Sequence, residues 1–316
     1  MSSSDMETQS PIQPRSPLSR TIDRGFVWLT LLFALGVAGI LIWIVIEVII
    51  QAFPAIRQFG GRFLVTSIWD PNQDQYGALP QIYGTVVTSA IALLIAVPIG
   101  VGVAVFLSEN YLLPRIRLAI VFLVELLAAI PSVVYGLWGI FVLIPILKSF
   151  GLWLNQSFGW IPIFSTPPSG PGMLPAGVIL SIMILPTITV ISRDSLISLP
   201  PELRQAAFGL GATRWETILK VLLPASFSGI IGGVMLALGR AIGETMAVTL
   251  VIGNSDHLNL SILSPANTIP SLLASEFPEA SDLQKAALLY SALILFCITL
   301  IVNVLAQLLV RRVQRI

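Results

Sequence analysis

The sequence predicts an all-α polytopic membrane protein with six transmembrane helices, and three observations carry that prediction. Of its 316 residues 55% are hydrophobic and only 10% charged, with mean hydropathy +0.90, well outside the composition of soluble domains. Six apolar stretches reach the roughly 20 residues needed to cross a bilayer core: 25–50, 83–107, 118–147, 173–192, 227–252 and 286–310. Placing the N-terminus inside puts twelve Lys and Arg on the cytoplasmic side (Arg15, Arg20, Arg24, Arg115, Arg117, Arg193, Arg204, Arg214, Lys220, Arg311, Arg312, Arg315) against four outside (Arg57, Arg62, Lys148, Lys285). That imbalance orients both termini towards the cytoplasm.

Residues 1–24 are rich in Ser, Pro and Gln and poor in large apolar side chains, which predicts a disordered cytoplasmic tail ahead of a membrane domain spanning 25–316. The run 25–50 exceeds a signal-peptide core and no small-residue cleavage pattern follows it, so a retained span is expected rather than a cleaved signal. The third stretch, 118–147, is overlong and holds Pro131 and Pro145, which predicts a kink, a tilt or a part outside the membrane. External loops of about 51–82, 148–172 and 253–285 contain Pro and Gly and predict short caps rather than separate domains.

On the cytoplasmic side, spans two and three are joined by about ten residues, whereas spans four and five enclose an insertion, 193–226. Pro200 and Pro201 suit a helix start, Glu202 suits its first turn, and Leu203, Ala206, Ala207 and Leu210 fall at i, i+3, i+4 and i+7. Gly209 and Gly211 break that helix, and Thr213-Arg214-Trp215-Glu216 has the form of a capping box that opens a second helix running to Pro224. The expectation is a helical hairpin over 200–224 beside the inner leaflet, as a partner-docking element or as an interfacial connector. A DNA-binding helix-turn-helix fits poorly, because Asp194, Glu202 and Glu216 offset its few basic residues, and no nucleic-acid partner is expected.

Span five carries LGRAIGETM, with Arg240 and Glu244 four residues apart in an apolar run. A charge at the centre of a membrane helix costs roughly 2.5–3.5 kcal/mol on insertion scales, and i, i+4 spacing lets the two neutralise each other on one face. Two readings stand on the residues alone. One is a structural ion pair, with Glu125 of span three as a further partner. The other is an anion site, in which Arg240 presents a planar fork to a tetrahedral oxyanion while Glu244 orients it and keeps binding weak enough for release. Gly229, Gly232, Gly233, Gly239 and Gly243 predict close helix packing around the pair.

Other chemistries find little support. Cys297 is the only cysteine and His257 the only histidine, so neither a disulfide framework nor a metal site is expected. No nucleophile–base arrangement and no G-x-x-x-x-G-K-[ST] occurs, so the chain is expected to be no enzyme and to hold no cofactor; any ATP is hydrolysed by another chain.

Gln205-Ala206-Ala207, Gly211 and Val221-x-Leu223-Pro224 keep every spacing of the EAA loop, and the hairpin therefore resembles that of ABC-importer permease subunits. Gln205 stands where the motif has Glu, and Val221 where it has Ile. The stretches 77–109, 125–139 and 238–254 resemble the phosphate-specific branch of that superfamily, and the last, with Met246-Ala247-Val248 after Gly243-Glu244-Thr245, looks most like the PstC-type member of the PstC–PstA pair. The resemblance implies a type I ABC-importer permease architecture. It implies that the hairpin, with Glu202, Gln205, Ala206, Ala207, Gly211, Leu223 and Pro224, docks into an ATPase subunit and transmits closure. It also implies that Arg240 and Glu244 serve the passage of inorganic phosphate. Implied partners are a PstA-like permease, a PstB-like ATPase dimer carrying ATP and Mg, a PstS-like phosphate-binding protein and the lipid bilayer. On composition alone, another oxyanion (sulfate or molybdate) and an ATP-independent secondary transporter stay open.

Overall fold

The computed structural model describes residues 17–109, 111 and 113–313, which fall in two units, 1–50 and 51–316. Of the expected N-terminal tail, 1–16 lies outside the described residues, while 17–24 is helical: α1 (Pro17–Phe59) opens on a proline, whose missing N–H has no partner in a first turn anyway. In the first unit, Phe26, Trp28, Leu32, Phe33 and Trp43 are exposed, as suits a helix in hydrocarbon.

In the second unit, α2 (Leu79–Ser108) and α6 (Met173–Ile197) make the most extensive helix pair. Glycine lets them meet: a Cβ on Gly100 would lie 2.9 Å from Ile188 Cγ2, and one on Gly177 would lie 2.5 Å from Ile91 Cγ2. Around this pair pack α4 (Ser132–Trp138), α9 (Leu223–Gly243) and α10 (Met246–Val251). The core between them includes Ala92, Ala96, Tyr135, Ile179, Ile184, Ala237, Val248 and Val251.

Among the described residues, six helical segments are long and apolar enough to cross a membrane: Asp23–Leu64, Leu79–Ser108, Ser132–Phe158, Met173–Ile197, Arg214–Gly243 and Asp282–Arg312. The overlong third stretch is two elements. α3 (Pro114–Ala129) stops at Ile130–Pro131, and the third span is α4, a π-helical turn (Gly139–Leu143) and α5 (Ile144–Phe158). Across the break the Tyr135 hydroxyl donates to the Leu127 carbonyl at 2.8 Å, the same carbonyl that accepts the Ile130 N–H at 3.4 Å as α3 ends.

Pro145 and Pro224 do not terminate helices. Each stands two residues after a five-residue π-helical turn, Gly139–Leu143 and Ile218–Leu222. A proline inside a helix cannot donate to the carbonyl four residues back and clashes with it. The wider turn carries the chain past that conflict. The second helix of the hairpin, α8 (Arg214–Thr217), therefore runs on through its π turn into α9 instead of stopping at Pro224.

At the end opposite the hairpin, residues 51–78, α11 (Ile269–Glu276) and the start of α12 (Asp282–Val313) share a second core of Ala55, Phe63, Trp69, Tyr76, Leu272 and Ala287. Phe63 stacks on Tyr290 with ring centres 4.5 Å apart, and Trp69 meets Tyr76 edge-on at 4.9 Å. A polar network binds this end together: Asp256 accepts from Gln81 Nε2 and Asn267 Nδ2, both at 3.0 Å, and Thr85 Oγ1 accepts the Ile269 N–H at 3.0 Å.

Candidate functional site

Arg240 and Glu244 are not one turn apart on a common helix. α9 ends at Gly243, Glu244 is extended (φ −70°, ψ 126°), and α10 starts at Met246. Glu244 turns to the new helix, where its Oε1 accepts the Ala247 N–H at 3.3 Å. Thr245 helps close the break, its hydroxyl donating to Gly243 O at 3.3 Å and its carbonyl accepting from Thr249 Oγ1 at 2.7 Å. Among the described residues Arg240 has neither an ion pair with Glu244 nor one with Glu125, which is exposed on α3.

The break resolves the apparent cost of two charges in an apolar run. Arg240 occupies the last turn of α9, where unpaired carbonyls make the helix end partly negative. Glu244 sits at the opening of α10, where unpaired N–H groups make it partly positive. Each charge is matched by a helix terminus, and the guanidinium stays free to meet something else. Arg240 also lies within electrostatic reach of Tyr135.

What it faces is a cavity of about 920 Å³ walled by α6, α9 and α12. Thr187 contributes from α6, Ser228, Gly232, Gly239 and Arg240 from α9, and Asn303, Gln307 and Arg311 from α12. The glycines of span five divide by face. Gly229 and Gly233 press on Ser195 and Ile191 of α6, which is the expected close packing, whereas a Cβ on Gly232, Gly239 or Gly243 would meet nothing within 4 Å. Sequence reasoning missed the α12 side chains. The signal was their i, i+4, i+8 spacing in an otherwise apolar span.

The hairpin forms at the other end of α9. α7 (Pro201–Gly209) carries Glu202 in its first turn and closes in a Schellman motif, with Gly211 N–H bonded to Phe208 O at 2.9 Å and Ala212 N–H to Ala207 O at 3.0 Å. Gly211, at φ +83°, is the left-handed residue this closure needs, whereas Gly209 is simply the last helical residue. The capping box on α8 is complete: Glu216 N–H donates to Thr213 Oγ1 at 3.3 Å, and Thr213 N–H to Glu216 Oε2 at 3.0 Å.

Of the motif residues, Ala207 is buried and Leu223 half-buried, while Glu202, Gln205, Ala206, Gly211 and Pro224 are exposed. At the tip Leu210 is 90% and Trp215 66% exposed, beside Phe208. The hairpin is tied to the rest of its unit by a part-buried ion pair, Arg204 to Glu109 at 3.2 Å, with Arg204 also donating to Leu196 O at 3.3 Å. Ile218 and Leu222 pack with Ala104 and Leu196 beneath it. The hairpin is thereby anchored against the ends of α2, α6 and α9 together.

A six-span helical fold, with a broken fifth span that carries a guanidinium without a carboxylate partner and a capped hairpin continuous with that span, has the form of a transport subunit. Residues 96–315 match the model of the family described as binding-protein-dependent transport system inner membrane component, and the chain belongs to that family, in its PstC-type branch. It is 45% identical to the phosphate transport system permease protein PstC of Haemophilus influenzae, over 93% of this chain and 95% of the relative. Identity is 47% to PstC of Mesorhizobium japonicum (86% and 84% of the two chains), and 38% to the probable PstC of Methanocaldococcus jannaschii (81% and 83%).

Among solved structures, a bacterial ABC transporter involved in the import of the acidic polysaccharide alginate superposes with TM-score 0.57 at 19% identity, over 92% of this chain and 99% of the other. The inward-facing MetNI methionine ABC transporter gives 0.51 at 18%, over 75% and 94%. These likenesses show the fold, that of ABC-transporter permeases.

Proposed function

We propose that this chain is a transmembrane permease subunit of an ATP-driven phosphate importer and forms the translocation path with a second, PstA-like permease. The observation that carries this reading is Arg240: a permanently charged fork without a carboxylate partner, at a helix break inside a membrane span, on an open cavity. The guanidinium geometry suits two oxygens of a tetrahedral oxyanion. Discontinuous helices at membrane depth are where transporters expose backbone and charge to cargo. The relatives named as phosphate permeases supply the cargo.

In this reading Arg240 receives phosphate, and Glu244 holds the start of α10 so that the break keeps its shape. The exposed apolar tip at Phe208, Leu210 and Trp215 docks on a PstB-like ATPase dimer, which binds ATP and Mg²⁺ and supplies the driving free energy. A PstS-like binding protein delivers phosphate on the side opposite the hairpin, and both termini lie in the cytoplasm. Closure of the ATPases moves α7–α8. The Arg204–Glu109 pair and the unbroken α8–α9 rod carry that motion to Arg240.

The test is uptake of labelled phosphate by the full importer in proteoliposomes, with Arg240→Gln as the variant. Uptake is expected to fall at least about tenfold, the effect of losing a charge-assisted contact. Undiminished uptake by an assembled complex would remove Arg240 from the path, and competition by sulfate or molybdate at equal strength would change the cargo.

A further inference from the structure

The cavity beside Arg240 has a second polar wall that the proposed function does not use. Asn303, Gln307 and Arg311 follow one another at i, i+4 and i+8 on α12, so they share a face, and all three line the cavity. Ile301, Leu305 and Leu308, towards the other side of the same helix, are exposed and apolar. The two amides lie within the sixth span, where a polar group without a partner is costly, and Arg311 follows in the last turn of α12 at the hairpin end. Among the described residues none of the three has a hydrogen bond or an ion pair. Gln307 and Arg311 are exposed and Asn303 is half-buried, so the three present hydrogen-bonding groups along one open cavity, which points to a polar occupant.

The geometry also gives an order. α9 starts at the hairpin end and α12 finishes there, so the two run in opposite directions past the cavity. Arg240 lies about 18 Å along α9 from Ser228, and Arg311 about 12 Å along α12 from Asn303, at 1.5 Å per residue. Arg240 thus lies towards the cap end and Arg311 towards the hairpin end, with the amides in between. On the α9 wall, Gly232 and Gly239 keep the space open.

We propose that the Asn303–Gln307–Arg311 face of α12 continues the anion path, passing a tetrahedral oxyanion from Arg240 to Arg311 on the hairpin side. The proposal rests on the reading of Arg240 as a phosphate site. Neutral amide donors suit this position, since they hydrogen-bond phosphate oxygens without adding a charge that would trap the ion. Conduction needs several weak sites rather than one strong one.

The experiment uses the complete importer in proteoliposomes and compares Gln307→Glu, Asn303→Asp and Gln307→Met with the unaltered complex and with Arg240→Gln. The first two are near-isosteric and place a carboxylate on the path, where repulsion lowers phosphate uptake by about tenfold or more. Gln307→Met keeps size and removes the donors, and is expected to raise the half-saturating phosphate concentration several-fold. In all three the partner permease and ATPase should co-purify as before. Full uptake by Gln307→Glu and Asn303→Asp, with Arg240→Gln inactive, overturns this inference and leaves the Arg240 reading standing. Loss of co-purification in Gln307→Glu and Gln307→Met also overturns it, by showing that the face packs against another subunit. Full uptake by Arg240→Gln overturns the underlying reading instead.

Discussion

A guanidinium in the last turn of a helix lies against the negative end of the helix dipole, and a carboxylate at the start of the next lies against a positive end. Arg240 and Glu244 hold these two positions on either side of the Glu244–Thr245 break. Each charge is thus stabilised by backbone more than by the other, and stability should reflect that. In a double-mutant cycle of Arg240→Gln and Glu244→Gln, followed by thermal unfolding of the purified complex, the coupling energy is expected below about 0.5 kcal/mol, as for groups without a shared bond. A coupling of 2 kcal/mol or more would restore the direct ion pair. Glu244→Leu, which removes the acceptor for the Ala247 N–H, should be worse than Glu244→Gln by about 1 kcal/mol, the typical worth of one such hydrogen bond.

Among the elements, the hairpin shows most clearly how one residue type fixes local shape. Gly211 has φ +83° and open space around its missing Cβ, so a substitution there strains the backbone and clashes with nothing. Gly211→Ala should cost about 1–2 kcal/mol locally, seen as faster hydrogen exchange over 201–217. Gly211→Asn should recover part of that, because Asn tolerates the left-handed region. Equal exchange in all three proteins would separate the glycine from the Schellman closure.

The hairpin was largely legible in the sequence, because capping boxes, helix-opening prolines and a C-terminal glycine act within a few residues of themselves. Six spans were legible for the same reason, since hydropathy is a local sum. The break at Glu244 was not. LGRAIGETM continues a helical pattern without proline, and the bonds that mark the interruption, Ala247 N–H to Glu244 and the Thr245 hydroxyl to Gly243 O, are local ones that these residue types also leave unmade inside helices. Nor was the passage through Pro145 and Pro224, where the π-helical turn that absorbs the proline leaves no signature in residue type. The α12 wall needed the third dimension in another way: its spacing was visible, but only packing shows that it faces the same cavity as Arg240.

Across the whole second unit, the two ends are held by different physics. The hairpin end relies on apolar contacts of Ile218, Leu222, Leu196 and Ala104 and on one part-buried ion pair. The opposite end relies on aromatic packing and on a half-buried carboxyl, Glu276, which ties the 65–78 loop to α11 and α12. Its Oε2 accepts from Trp69 Nε1 and from Gln284 Nε2, both at 2.8 Å. Burial raises the Glu276 carboxyl above its usual range, the two hydrogen bonds pull it back in part, and the charge of Asp256 adds to the rise. A carboxyl whose proton is held more tightly in the folded state than in the unfolded one stabilises the fold fully at pH below the ordinary carboxylate range. That contribution is lost as pH rises through the raised folded value. Hydrogen exchange over 269–290 should therefore quicken, beyond the intrinsic pH effect, as the medium goes from mildly acidic to neutral. Glu276→Gln keeps an acceptor for Trp69 without a titrating proton, so it should flatten that dependence while leaving exchange over the hairpin unchanged. An unaltered pH dependence in Glu276→Gln would assign the effect to another group at this end, with Asp256 the next carboxylate to replace.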